Sequence, residues 1–440
     1  MKFSLLTFLI LSVSIIHSQI DSSSNLTIKK SHRFLPALDI IGVNVLVNRF
    51  DVYVKDEDWA KVSWKSWKEN IQSGFEPDND PFGTNFFAHP YHGSLYFNAS
   101  RSTGNSFWGS IPYTLGGSLI WEFFGETEKP SSIDINTTTL GGIYLGEMTH
   151  RLSKHLMRNH KNRKLKGLRY VAATALNPMG RLNGLMYQDI EDRFTKADQE
   201  IFPITSQLSA GINIPLRNVN NDAVNNRLNV NYSLVYGNIF DVSRKYKPFD
   251  AFVVRAWADI ALGEAEYPIL LNISSQANLL RKTIKNDQIL SLSGHYDFLN
   301  NQIFKIGGMS VTADYSLYKM YKNWSFVGTA NVGIMLYGST NSEVVDFLNQ
   351  NPNLDYVRNY VFGRGLVNKV FWLADFKQIG RVTAMYNKWI NYVKDDAIGR
   401  ESSTVMQFKY YYPIRKNTNI GIELFNYRRF AKYEDIPEFS

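Results

Sequence analysis

The chain has 440 residues and no cysteine, and its 48 Lys and Arg against 40 Asp and Glu leave a formal charge of +8. Disulfides, thiol catalysis and lipid attachment through cysteine are thereby excluded, and so modest a charge over this length makes no case for nucleic acid as a partner. Aromatic residues make up 14% of the chain while mean hydropathy is only −0.25, a combination that suits alternating strands better than spanning helices.

Lys2 followed by an apolar run to Ile16 and the small Ser18 reads as a secretory leader over 1–18. The run is short for a membrane-spanning helix, which needs about 20 residues. Residues 19–56 contain "LDIIGVNVLVNRF", where Ile41, Val43, Val45 and Val47 alternate with Gly42, Asn44 and Leu46, the pattern of a first strand.

Residues 57–193 change character and read as a helical insert. Trp59, Val62, Trp64, Trp67 and Ile71 fall at helical spacings, with Gly74 as a stop. Further helices are predicted over 90–101, opened by Pro90, over 106–124, and over 133–152, where Gly142 and Gly146 let two backbones approach. The stretch 151–169 carries eight Lys or Arg and no acid, fit for lipid phosphates or for a solvated connector. "RYVAATALNP" suits a short helix or a strand equally well.

From 194 to 440 the sequence breaks into alternating segments. Leu208, Ala210, Ile212 and Ile214 oppose Gln207, Ser209, Gly211 and Asn213; Leu228, Val230, Tyr232 and Leu234 oppose Asn229, Asn231 and Ser233. Similar segments follow at 252–262, 269–279, 289–298, 303–318, 324–337, 369–377, 379–389, 404–412 and 420–427. With the segment at 41–47 this predicts about twelve strands. An apolar face opposite one rich in Asn, Ser and Gly favours a closed membrane barrel with a polar lumen over a soluble β-sandwich. The expected class is α+β: a transmembrane antiparallel barrel with a helical plug or cap inserted after its first strand.

The segments HPYHGS, YFNASRS, SIPYT, GSLIWE, GETE-x-PS and GGIYLGE, ending in Arg151, resemble the family known as domain of unknown function 3943. Trp59, Trp67, Asn70 and "DPFGTN" extend the likeness to residues 57–153; Ile133 departs from it, standing where the pattern has Asn. The resemblance implies an envelope protein of Gram-negative bacteria. It implies no activity.

Chemistry therefore has to be argued from residue types. His89 and His92 lie three apart and Glu122 and Glu126 four apart, so each pair shares a helix face. These four are suitable ligands for a divalent metal, although no HExxH pattern occurs, and no other cofactor is expected. In a catalytic reading His92 is a general base, Glu122 and Glu126 orient it or hold a cation, and Arg101 meets a phosphate. The preferred reading is a buried polar network of His89, Tyr91, Asn98, Arg101, Tyr113, Glu128, Asp134 and Glu147, with His92 paired to Glu122 and Arg101 to Glu126 or Glu147. His150 lies three after Glu147. Ser94, Ser100 and Ser102 are nucleophiles by type only, since GxSxG is absent.

Two functions follow. The first is a non-enzymatic outer-membrane barrel with a structural, adaptor or restricted transport role, its helices in the lumen or at the periplasmic face. The second is a membrane-embedded hydrolase of lipopolysaccharide or phospholipid. Outer-membrane lipids, lipopolysaccharide among them, are the expected partners in both.

Overall fold

The computed structural model describes residues 32–158, 166–195, 202–214, 226–265, 267–301, 305–341, 360–394, 398–415 and 417–434. The expected leader lies outside the described residues, as does the basic run from 159 to 165.

Helices come first. Helix α1 (Leu35–Phe50) continues through a π turn (Asp51–Lys55) and is followed by a 3-10 turn (Asp58–Ala60) and α2 (Trp64–Ser73). A π turn (Thr84–Ala88) leads into α3 (His89–Ser102), and α4 spans Phe107–Phe124. Short α5 (Ser132–Asn136) passes through a π turn (Thr137–Gly141) into α6 (Gly142–Met157). Helices α7 (Lys166–Leu176), α8 (Pro178–Met186) and α9 (Gln188–Thr195) complete the set, so "RYVAATALNP" is helical. Capping explains the boundaries: Ser63 and Ser66 bond reciprocally at the start of α2, Gly74 takes φ +79° at its end, and the Ser106 hydroxyl accepts from the Gly109 amide to open α4.

The segment read as a first strand is α1, so the helical region is not inserted after a strand among the described residues. The reason lies in two asparagines four apart. Asn44 donates to the Gly117 carbonyl at 3.3 Å, and Asn48 donates to the carbonyls of Ala60 and Gly125 at 2.8 Å each. Pro36, Ile40, Asn44 and Asn48 form the buried stripe. The aliphatic residues Ile41, Val45 and Leu46 face outward. Over so short a window, two-residue alternation is compatible with either period, and the buried amides decide for the helix.

Strands β1 (Ile204–Asn213), β2 (Arg227–Tyr236), β3 (Phe252–Ala261), β4 (Ile269–Lys285), β5 (Gln288–Asn300) and β6 (Lys305–Met320) precede β7 (Trp324–Asn341), β8 (Tyr360–Phe376), β9 (Gly380–Lys394), β10 (Ile398–Arg415) and β11 (Thr418–Tyr433). They form one antiparallel sheet of eleven strands in chain order. Each overlaps a segment expected from alternation, although β8 begins at Tyr360 where the expected segment begins at 369, and β4, β9 and β10 run past their expected bounds. Twelve strands and full closure are corrected by the same observation: β1 and β11 end the order, and no ladder joins them among the described residues. With an odd number of antiparallel neighbours the two edge strands run the same way, so an antiparallel closing ladder is ruled out.

The sheet curls with its polar face inward. Lys369 on β8 and Trp389 on β9 both donate to Asp297 Oδ2 on β5, at 2.7 and 3.1 Å, though three and four strands away in the order. On β10, Tyr411 bonds Glu423 of β11. The pleat sends alternate residues outward. Asn331 is 5% exposed and its neighbour Val332 62%.

The helices pack on the outer, apolar face. Phe82, Phe86, Phe97, Phe107 and Tyr144 share a core with Phe252, Tyr296, Phe298, Met309, Tyr360 and Phe362. Tyr296 and Phe298 flank Asp297 in the pleat and point away from it. The expected plug is therefore corrected. Asp297, His295, Lys369 and Trp389 occupy the concave side, and the aromatics that pack against the helices lie on the other. Along β5 to β8 the helices meet the strand ends opposite the turns at 285–288, 320–324 and 376–380. No described helix is long and apolar enough to cross a membrane.

Candidate functional site

Two glycines allow the site to exist. Helix α3 lies so close to the start of α6 that a Cβ on Gly93 would sit 1.9 Å from the Thr138 carbonyl oxygen, and one on Gly142 would sit 2.5 Å from the Gly93 backbone. This approach brings the first turn of α3, which carries His89, against Thr138 and α5. Ser131 caps α5 by accepting from the amides of Ile133 and Asp134, which places the Asp134 carboxylate in the first turn.

Around His89 the structure gathers carboxylates. His89 Nε2 lies 3.4 Å from Asp134 Oδ1 and 3.8 Å from Asp80 Oδ2, while Nδ1 is 3.2 Å from Thr138 Oγ1. Glu122 accepts from the Ser131 amide at 2.6 Å, and the Ser131 hydroxyl donates to Asp78 at 2.5 Å. Asp78 also accepts from the Asp80 amide and from Asn85. Burial disfavours an imidazolium, but Asp134, Asp80 and Glu122 outweigh it and raise His89 to about 9. Burial pushes Glu122 up to about 7, against the pull of His89. Glu126 and Asp134 are held well above the ordinary carboxylate range, first by burial; Glu122 then raises Glu126 further. Glu128 is raised by burial and by Asp80 and Asp78.

His92 does not pair with Glu122. Its Nε2 is 3.0 Å from the Tyr96 hydroxyl, which bonds Asn44 of α1, and its ring lies edge-on to Trp121 at 5.1 Å. Burial, then His89, lowers it to about 3, so the ring is neutral near pH 7.

Farther along α3 lies a second cluster. Arg101 donates to Glu147 at 2.5 and 3.0 Å, and Arg151 donates to Glu147 at 2.7 Å and to Asp250, before β3, at 2.9 Å. Burial alone would raise Glu147, yet the two guanidiniums bring it down to about 2. Asn98 donates to Thr149 at 3.0 Å, and the buried His150 stands 3.3 Å from Asn177.

The expected network is thus split. Glu147 is the partner of Arg101, and Glu126 belongs with Glu122 near His89. Tyr113 donates to the Arg33 carbonyl at 2.8 Å, away from both clusters, and Tyr91 is 46% exposed. Ser94 and Ser102 donate to carbonyls of their own helix, and Ser100 accepts from Asn105. Asp78, Asp80, Tyr96 and Asn44 escaped sequence reasoning. Asp78 and Asp80 precede Pro81 in what reads as a turn, and the only signal was the doublet of acids before it.

An antiparallel curled sheet, polar inside and apolar outside, with a helical region on its outer face built around two ionic clusters: that is the class of protein the fold defines. Residues 74–179 match the family described as Domain of unknown function (DUF3943), and the chain carries this domain. The match begins after α2 and runs into α8, farther along than the motifs alone suggested. Neither the curated proteins nor the solved structures compared with the chain gave a match.

Proposed function

We propose that this chain is an outer-membrane protein of the Gram-negative envelope, its curled sheet turned outward to acyl chains, with a structural or adaptor role rather than a catalytic one. The observation that carries the reading is the direction of the alternation. Asn331 is buried where Val332 beside it is open, and Leu208 and Leu424 on the two edge strands are likewise exposed, the reverse of a soluble fold. Two further features agree. Tyr321, Trp324 and Phe376 stack at the turns away from the helices, with ring centres 4.4 and 5.9 Å apart, as aromatics at a membrane interface do. Helix α1 shows its aliphatic side outward.

An arginine scan of the outer face tests the reading. In a bilayer, Val332→Arg costs ~2–4 kcal/mol of folding free energy; on a hydrated strand face it costs less than ~1 kcal/mol. Folding into lipid vesicles, followed by the heat-dependent gel mobility of folded barrels, measures the difference. A full chain that is soluble and monomeric without detergent, with Val332→Arg unchanged, defeats the proposal.

The hydrolase reading gains less from the geometry. His92 Nε2 is engaged by Tyr96, and the serines beside it are bonded within α3. Lipid profiling of a deletion strain, with His92→Ala as the matched variant, separates the two: an altered acyl or phosphate pattern reproduced by His92→Ala would favour the enzyme.

A further inference from the structure

We propose that Asp80, His89 and Asp134 form a binding site for one divalent transition cation of the Zn²⁺ or Mn²⁺ class. One ligand atom from each of the three residues lies within 4.8 Å of the others. The individual separations argue for an ion. At 3.4 and 3.8 Å from His89 Nε2, the carboxylate oxygens are too far for good hydrogen bonds, which close to about 2.7–3.2 Å. They are near the spacing of ligands sharing one ion: bonds of ~2.1 Å at tetrahedral angles place neighbouring donors ~3.4 Å apart.

A second observation is independent of the crowding of acids. Asp134 is 5% exposed, and its Oδ1, the oxygen that faces His89, has no hydrogen-bond partner. Beyond hydrogen-bond distance of His89, that buried oxygen has given up its hydration without gaining a donor, which a bound metal cation would replace. The imidazole is also oriented for ligation. Thr138 Oγ1 stands by Nδ1, as outer partners of metal-bound histidines do, which leaves Nε2 facing the two carboxylates, where an ion would bind in exchange for the ring proton. Glu122 and Asp78, tied together through Ser131, surround the site with further negative charge. Imidazole among the donors favours a transition ion over Ca²⁺ or Mg²⁺. Asp80 is the open side, its side chain 43% exposed, and gives the ion a way in.

The site does not depend on the membrane reading, and its test can fail separately. Full-length protein in detergent is stripped with chelator, then titrated with Zn²⁺ and, in a parallel series, Mn²⁺, by calorimetry and by metal analysis after dialysis. Wild type is expected to hold one ion. His89→Gln and Asp134→Asn should weaken binding by more than ~100-fold, and Asp80→Asn by ~10-fold or more, since even outer partners carry 10–100-fold effects. Asp80 is exposed enough that its variant keeps the fold, so the test stands even if Asp134→Asn does not fold. His92→Gln, whose Nε2 faces Tyr96, should leave the affinity unchanged. Wild type without stoichiometric Zn²⁺ or Mn²⁺, or Asp80→Asn and His89→Gln binding as tightly as wild type, overturns the site.

Discussion

Glu147 and Asp134 are both buried carboxylates held where α3 meets α5 and α6, yet their surroundings differ in the one respect that decides their behaviour. Glu147 meets two guanidiniums, and one of them, on Arg151, extends to Asp250 and to the Pro248 carbonyl, tying the helices to the segment before β3. Asp134 meets one imidazole and faces Asp78, Asp80 and Glu122 as like charges. The first cluster is neutralised by the chain itself and holds its acid ionised. The second sets one imidazolium, His89, against several carboxylates, and burial with their mutual repulsion raises the acids. Equal burial therefore says little about role; the balance of charge within hydrogen-bond reach says more.

Replacing the same side-chain type in each cluster gives the sharpest contrast. Glu147→Gln leaves Arg101 and Arg151 without their shared anion and should destabilise the protein by ~3–5 kcal/mol, read from chemical denaturation in detergent. Gly142→Ala acts on the contact that both clusters share. A methyl 2.5 Å from the Gly93 backbone must push α3 and α6 apart, at ~1–3 kcal/mol, and should loosen both sites together. If Gly142→Ala disturbs neither, the clusters are not coupled through this contact.

Acid titration probes the first cluster alone. With Glu147 lowered from 4.5 to about 2, its contribution is fully present above pH 4.5 and is lost as pH falls toward about 2. Stability measured over that window should drop for wild type, and the part due to Glu147 should be missing from the Glu147→Gln curve. The smallest effect belongs to the second cluster. Burial and Glu122 raise Glu126 and so favour its neutral form, which Gln imitates, and Glu126→Gln should change stability by less than ~1 kcal/mol at pH 7. A loss as large as that of Glu147→Gln would show that Glu126 is ionised and paired, and the contrast between the clusters would collapse.

Sheet and helices were legible to different degrees. All eleven strands of the sheet could be found from alternation, because a strand with one buried and one exposed face writes a period of two into its residues whatever it packs against. Gly74 marked the end of α2, but its start was read too early, at Trp59, where the structure has Ser63 capping a helix that begins at Trp64. The segment at 41–47 was misread because Asn44 and Asn48 acquire meaning from carbonyls distant in sequence, those of Gly117 in α4, Gly125 at its end, and Ala60. His92 was matched to the wrong partner for a similar reason: Tyr96, one turn along its own helix, was closer than the acid expected for it.

From its own residues the chain determined which segments of 194–440 are strands, where the helices near His89 and Phe107 begin, that no thiol chemistry is available, and which domain family residues 74–179 match. These are local properties, set by side-chain periodicity and by caps within a turn. Only the tertiary structure decided that the sheet curls without an antiparallel ladder between β1 and β11, that the helices lie on its apolar side, and that Arg101 meets Glu147 while His89 meets Asp80 and Asp134. Those outcomes depend on strand count, on the approach of Gly93 to Gly142, and on charges distant in sequence, and a neighbour in space leaves no periodic trace in the chain.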